Sequence, residues 1–516
     1  MYTARHAATR PHHPAVVMAR SGATMTYGEL DARGNKLAHL LRALGLKRLD
    51  HFSVFMENHI RYVECGVAGA RSGLYYTNIN SYLTARELAY ILNNSLSQVL
   101  ITSRARQDVA LAALGDCPGV KLCLIVDGPG VDDHARNLDE ATAPFPSTPI
   151  EDEFIGLAML YSSGTTGNPK GVLRPLPLEP PSYLSPIYQV FYQHWKFREG
   201  QTYLLPAPLY HSAPWVGVTG TIHSGGTLIV MEKFDPEDYL SLIEKHRVTH
   251  TQLVPTMFSR MLKLAEDVRR RYDLSSLEAA VHGAAPCPQP VKQAMIDWWG
   301  PVINEYYSAT EGMGLAMCDS AEWLAHPGTV GKTVAGELHV LDDEMREVAT
   351  GAIGKLWFKT AAPFEYFNDP VKTAQANSSD RTMSTVGDIG YVDDDGFVYL
   401  TDRAAFMIIS GGVNIYPQEC ENLLITHPKV ADAAVFGVPN EELGEEVKAV
   451  VQMMPGFTAG PEMEAELINF CRENLAHLKC PRTVDFEAQL PRLPTGKLYK
   501  TPLRERYWKG HKSRIL

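Results

Sequence analysis

Tyr161-Ser162-Ser163-Gly164-Thr165-Thr166-Gly167-Asn168-Pro169-Lys170-Gly171-Val172 follows the apolar run Ile155 to Leu160. The run reads as a buried strand, so the hydroxyls and glycines leave its end as a loop. Such a loop suits a polyphosphate. Glycines permit positive φ and close backbone approach, successive amide N–H groups form an anion nest, Ser and Thr hydroxyls donate hydrogen bonds, and Lys170 adds a point charge. Gly/Ser/Thr clusters also make plain surface loops. The Lys-Ser/Thr ending of the common NTPase loop is missing here, so the spacing alone leaves both readings open.

A chain of 516 residues is too long for one ordinary core and implies at least two domains. Its formal charge of −11 and the lack of an extended basic run argue against a nucleic-acid partner and for small-molecule ligands. No apolar run approaches the roughly 18 residues of a membrane span. The polar, His-rich stretch Thr3 to His13 is no secretory signal, and a cytoplasmic protein is expected. The eight cysteines lack Cys-x-x-Cys pairs, which favours free thiols over disulfides or a zinc site. The final Ser-Arg-Ile-Leu does not match the peroxisomal tripeptide.

Outward from the loop, helical and strand-like stretches alternate. Leu30, Leu37, Leu40 and Leu41 recur at helical spacing behind Thr26, placed as N-cap. Strands are expected at Phe52 to Phe55, Tyr75 to Asn80, Val99 to Thr102 and Leu228 to Met231, with helices over 62–71, 236–246 and 257–265. Asp235 caps the second of these helices, and Pro236 takes its first position. The alternation predicts an α/β fold with a mainly parallel, helix-covered sheet. Asp393-Asp394-Asp395-Gly396 reads as a hairpin turn.

Ser162 to Gly171 resembles the signature loop of the AMP-forming adenylate synthetases: acyl-CoA synthetases, peptide-synthetase adenylation domains and firefly-type luciferases. Further resembling segments follow in the family's order and span nearly the whole chain. The resemblance implies that Ser162, Ser163, Gly164, Thr165, Thr166, Gly167 and Lys170 hold ATP phosphates, with Thr166 and Lys170 taking part in catalysis. His282-Gly283-Ala284-Ala285-Pro286 is similar to the turn beneath adenine, where small residues let a flat ring lie close to backbone. In Asn304 to Gly312 it assigns Tyr307 to adenine, Thr310 to the α-phosphate and Glu311 to Mg²⁺, a hard cation that keeps several waters when it bridges phosphates. Asp388 and Arg403 match the ribose contacts.

The same resemblance makes His211, Trp215, Val216 and Gly217 a wall of the acyl pocket and pantetheine entrance, with Phe258 a candidate acyl contact. It implies a large domain over residues 1–402 and a small mobile α+β domain over 403–516. The hinge falls at Asp402 to Ala405, where Ala404-Ala405 replaces the family's usual charged or polar residue. Gly411 and Gly412 give pantetheine a bare backbone to pass, and Lys497, in Leu490 to Leu498, is the lysine that bridges carboxylate and phosphate. The expected enzyme is an ATP-, Mg²⁺- and coenzyme A-dependent acid:thiol ligase acting on an apolar acid of medium-chain, aromatic or polycyclic type. A carrier-protein-loading adenylation enzyme, a luciferase-type oxygenase and a nucleotide sensor are the alternatives, and a homodimer is left open.

Overall fold

The structure is a computed structural model of the chain that describes residues 1–162, 169–360, 364–403, 406–410, 413–440, 442–492 and 498–509, except the side chains of Asp402 and Arg403. The N-terminal leucine stripe forms the helix Tyr27–Ala43. The Thr26 hydroxyl accepts the Glu29 N–H at 3.3 Å, while the Glu29 carboxylate accepts the Thr26 N–H at 2.8 Å. A cap of this kind is worth about 1 kcal/mol. Leu30, Leu37, Leu40 and Leu41 are all buried. Gly34 lets the helix Arg61–Arg71 pack close, since a Cβ there would lie 2.7 Å from Val67.

Two sheets organise the large N-terminal part. One is parallel throughout, in the order Ala135–Asn137, Leu122–Val126, Ser97–Ser103, His51–Phe55, Tyr75–Asn78 and Leu157–Ala158. The other has 14 strands among the described residues. Its parallel half runs Pro14–Met18, Thr227–Val230, Thr202–Leu205, His250–Leu253, Ala279–His282 and Ile303–Ser308. The remainder is antiparallel from Leu315–Cys318 through Gly331–Ala335 and Phe397–Arg403 to Asp388–Val392 and beyond. Asp393 turns this last hairpin by accepting the Phe397 N–H at 2.8 Å.

The run Ile155 to Leu160 is not one strand. Leu157–Ala158 pairs with Tyr75 and Tyr76, whereas Leu160–Ser162 pairs with Lys170–Leu173, which in turn pairs with Glu365–Tyr366. Met159 between them is fully buried with Tyr75 and Leu176. The run is apolar because it serves different packing clusters in succession. The helix expected over 257–265 also begins and ends earlier, at Pro255–Leu262, because Pro255 fits a first helical position.

The small C-terminal part folds around the hairpin of Val430–Asn440 and Gly444–Met453, with Thr483–Phe486 parallel to its second strand. The helices Pro417–Thr426 and Pro461–Asn474 bury Leu424 and Leu467 against it. Lys263 of the large part donates to the Val430 carbonyl at 2.7 Å. The eight cysteines are free thiols. Among the described residues, no helix is long and apolar enough to cross a membrane.

Candidate active site

A cavity of about 1550 Å³ opens at the carboxyl ends of adjacent parallel strands. Ala207, Val254, Ala284 and Thr310, each just beyond the end of its strand, all line it. Open parallel sheets present their ligand crevice at this edge, where loops diverge from a rigid support.

Polar groups gather at one end. Ser162 and Lys170 lie opposite each other in an antiparallel pair, so the hydroxyl-rich loop starts and finishes at the cavity wall. Its residues Ser163, Gly164, Thr165, Thr166 and Gly167 fall outside the described residues. The Lys170 ammonium stands 4.6 Å from the centre of the Tyr366 ring. Burial, then Lys372, lowers its pKa, while Glu311 and Asp369 oppose the shift. Tyr366 donates its hydroxyl to Glu311 Oε1 at 2.8 Å. Thr310 lies 3.3 Å, hydroxyl to hydroxyl, from Ser212.

Beside this group, the Tyr307 hydroxyl donates to Asp388 Oδ2 at 2.8 Å, and both residues are buried. Arg403 lies opposite Asp388 in the strand register, with its side chain outside the description. Ala284 holds φ at +67° and lines the cavity. That left-handed geometry is unusual for a residue with a Cβ and marks a backbone held in place by its surroundings. Gly283 lies behind the cavity wall, where a Cβ would come within 2.6 Å of the Tyr306 ring. Its smallness serves that packing. Ala285 is half-buried and not a lining residue.

The other end is aromatic. Trp215 packs edge-on to Tyr76 at 5.9 Å and donates its indole N–H to the Tyr76 hydroxyl at 3.1 Å. Tyr188, Phe191, Tyr306 and the half-buried Val216 complete this wall. Two residues expected here lie elsewhere. Gly217 faces the core, where a Cβ would lie 2.2 Å from the Tyr203 hydroxyl. Phe258 is wholly buried against His282 and Trp299.

His211 precedes the helix Ser212–Ser224 and lines the cavity. Burial pulls its pKa down to about 3, so the imidazole is neutral at physiological pH, and its Nε2 has no partner among the described residues. Tyr210 Oη and both amide atoms of Asn78 are likewise buried without partners among the described residues, and both residues line the same space. Ala405, Gly411, Gly412 and Lys497 fall outside the described residues, but Tyr499, two positions beyond Lys497, lines the cavity.

The motifs did not reveal Asn78, Arg174, Tyr188 or Tyr366. Nothing near Tyr366 in sequence announces it, because its partner Glu311 is 55 positions away. Arg174 carried a signal: it is a charge directly after the apolar Val172-Leu173 leaving the loop. No group of three or more potential metal-ligating side chains occurs among the described residues. The Glu311 site still fits Mg²⁺, since among the described residues only Oε1 of this buried carboxylate takes a hydrogen bond and the residue lines the cavity. Magnesium is commonly held by one or two carboxylates, with phosphate and water completing its shell.

Residues 3–366 match the family described as AMP-binding enzyme, and residues 419–497 match the AMP-binding enzyme C-terminal domain. The chain is 31% identical over 514 residues to the long-chain-fatty-acid–CoA ligase FadD13 of Mycobacterium tuberculosis, covering 98% of this chain and 97% of that protein. It is 32% identical over 531 residues to the fatty acid–[acyl-carrier-protein] ligase ScoC of Streptomyces coeruleorubidus, covering 98% and 96%. The crystal structure of ATP-bound MatB from Rhodopseudomonas palustris superposes with a TM-score of 0.81 at 28% identity, covering 99% of this chain and 100% of that one. Matched across both its large and small parts, the chain belongs to the AMP-binding enzymes, as an AMP-forming acyl-CoA synthetase of the adenylate-forming superfamily.

Proposed function

We propose that the protein joins an acid with a largely apolar body to coenzyme A, using ATP and Mg²⁺. The continuity of one cavity carries this reading: it runs from Lys170, Tyr366 and Glu311 to the aromatic wall of Trp215 and Tyr76. A carboxylate whose body rests on that wall has its reactive oxygen directed toward the phosphate end. The two fatty-acid ligases among the relatives support an apolar acid.

In the first half-reaction a carboxylate oxygen attacks the α-phosphorus of ATP. The new O–P bond gives acyl-AMP, and the bond to pyrophosphate breaks. Tyr307 and Asp388 hold the nucleoside, the hydroxyl-rich loop and Lys170 hold phosphate oxygens, and Lys497 bridges the carboxylate and α-phosphate. Bound at Glu311, Mg²⁺ would neutralise phosphate charge. In the second, the thiolate attacks the acyl carbon, the C–O bond breaks and AMP departs. We assign the neutral His211 a role toward the thiol, the role that the resemblance also gives Gly411 and Gly412. Both steps depend chiefly on positioning and charge stabilisation. Residues 1–402 form the large domain and 403–516 the small one, which rotates about Asp402 to Ala405 between steps. A few residues absorbing a φ/ψ change suffice for such a motion.

Incubating the enzyme with ATP, Mg²⁺ and a panel of acids, with and without coenzyme A, tests the reading. AMP and acyl-CoA should form in equal amounts. AMP formation that needs a carrier protein and ignores coenzyme A would favour carrier loading, the reaction in the second relative's name.

A further inference from the structure

Arg174 leaves the phosphate-loop strand and lines the cavity between its polar and aromatic ends. Its side chain is half-buried. One nitrogen donates to the Thr310 carbonyl at 3.3 Å, and the guanidinium flanks Gly312, where a Cβ would lie 3.4 Å from Nη1. The Tyr188 phenol also feels this positive charge, which opposes the effect of burial on its pKa. No carboxylate lies within 4 Å of Arg174 among the described residues. The fully interior arginines differ: Arg61 is paired with Glu64 and Asp139, and Arg71 with Asp31 and Glu153.

A guanidinium has five N–H donors in a planar fork that fits both oxygens of a carboxylate. Among the described residues it meets one neutral carbonyl, which leaves most of that capacity for a ligand. Its contacts reach both ways, to Thr310 and Gly312 beside Glu311 and to Tyr188 on the aromatic side. Resting on the ligase reading above, we infer that Arg174 selects acids whose body carries a second carboxylate. The first carboxylate reacts at the nucleotide end, the second meets the Arg174 fork, and the connecting carbons rest against Tyr188 and the aromatic wall.

The test pairs straight-chain monoacids with dicarboxylic acids of equal carbon number, from four to ten carbons, in acid-dependent ATP–pyrophosphate exchange. At the best length, wild-type enzyme should have the higher kcat/KM for the diacid. In Arg174→Met the diacid-to-monoacid ratio should fall by roughly ten- to a hundredfold, as expected for losing hydrogen bonds between charged groups. Arg174→Lys should recover part of it. Monoacids preferred at every length by wild type overturn the inference and leave the ligase reading intact, a comparison that needs no variant to fold. Equal losses for both acid types in Arg174→Met overturn it too, because the side chain then serves the reacting carboxylate or a phosphate. No exchange with any acid overturns both readings.

Discussion

At the nucleotide end of the cavity, polar side chains are tied to each other: Tyr307 to Asp388, Tyr366 to Glu311, and Lys170 over the Tyr366 ring. On the proposed acyl and thiol side, Asn78, Tyr210 Oη, His211 Nε2 and Gln252 Oε1 are buried without partners among the described residues. Buried polar groups without partners are costly. A site for one unvarying ligand gains from groups already fixed in position. Groups facing an acyl body and a passing thiol keep hydrogen-bonding capacity for what arrives. The contrast predicts that substitutions at the first end damage adenylation with every acid, whereas those at the second sort acids.

The sharpest version concerns Lys497→Ala. Acyl-AMP formation should fall about a hundredfold or more, the scale of removing one preorganised charge-stabilising donor, while supplied acyl-AMP and coenzyme A should still yield thioester. Stopped assays of each half-reaction check this, and equal losses would assign Lys497 a structural role.

Next in size, Glu311→Gln should raise the Mg²⁺ concentration for half-maximal rate by about tenfold, because an amide lacks the charge a hard cation prefers. Excess Mg²⁺ should restore part of the rate. An unchanged Mg²⁺ titration would break the assignment at the nucleotide end.

Val216→Phe probes the opposite end with a comparable effect. Filling the wall should lower kcat/KM for the bulkiest accepted acids by about tenfold, with little change in the KM for ATP. A uniform loss across acids would erase the proposed division.

Tyr307→Phe keeps the ring and removes the hydroxyl bonded to Asp388. An ordinary hydrogen bond contributes about 0.5–1.5 kcal/mol, so the KM for ATP should rise about two- to tenfold, and the order of preference among acids should stay the same.

The smallest effect is one of stability. The His211 pKa lies near 3 in the folded protein against an ordinary 6.5, so below pH 6.5 the unfolded chain takes up the proton first. Its contribution is complete above pH 6.5 and is lost progressively as pH falls toward 3. His211→Gln should give a shallower fall in Tm between pH 7 and 5 than wild type, measured by calorimetry.

How far the sequence revealed this molecule follows the same division. The phosphate loop and Tyr307 to Glu311 are contiguous, so residue types and order could be read directly. Thr26, Asp235 and Asp393 also acted locally, as a cap or turn. The acyl wall instead draws Tyr76, Tyr188, Trp215 and Tyr306 from separate elements, and only the fold brings them together. Gly217 and Phe258 stood near the right motifs but faced the core, because a helix or strand end presents adjacent residues to different surroundings. The apolar run 155–160 concealed a change of sheet for a related reason: burial in different clusters gives the same composition.

Oxygen tracing tests the central claim most directly. An accepted acid labelled with ¹⁸O in both carboxylate positions should be turned over with unlabelled ATP and coenzyme A, and the products analysed by mass spectrometry. Attack of carboxylate oxygen on the α-phosphorus, followed by cleavage of the acyl C–O bond, predicts one ¹⁸O in each AMP and one in each thioester. AMP without label, or label in inorganic phosphate beside ADP, would contradict activation through acyl-AMP.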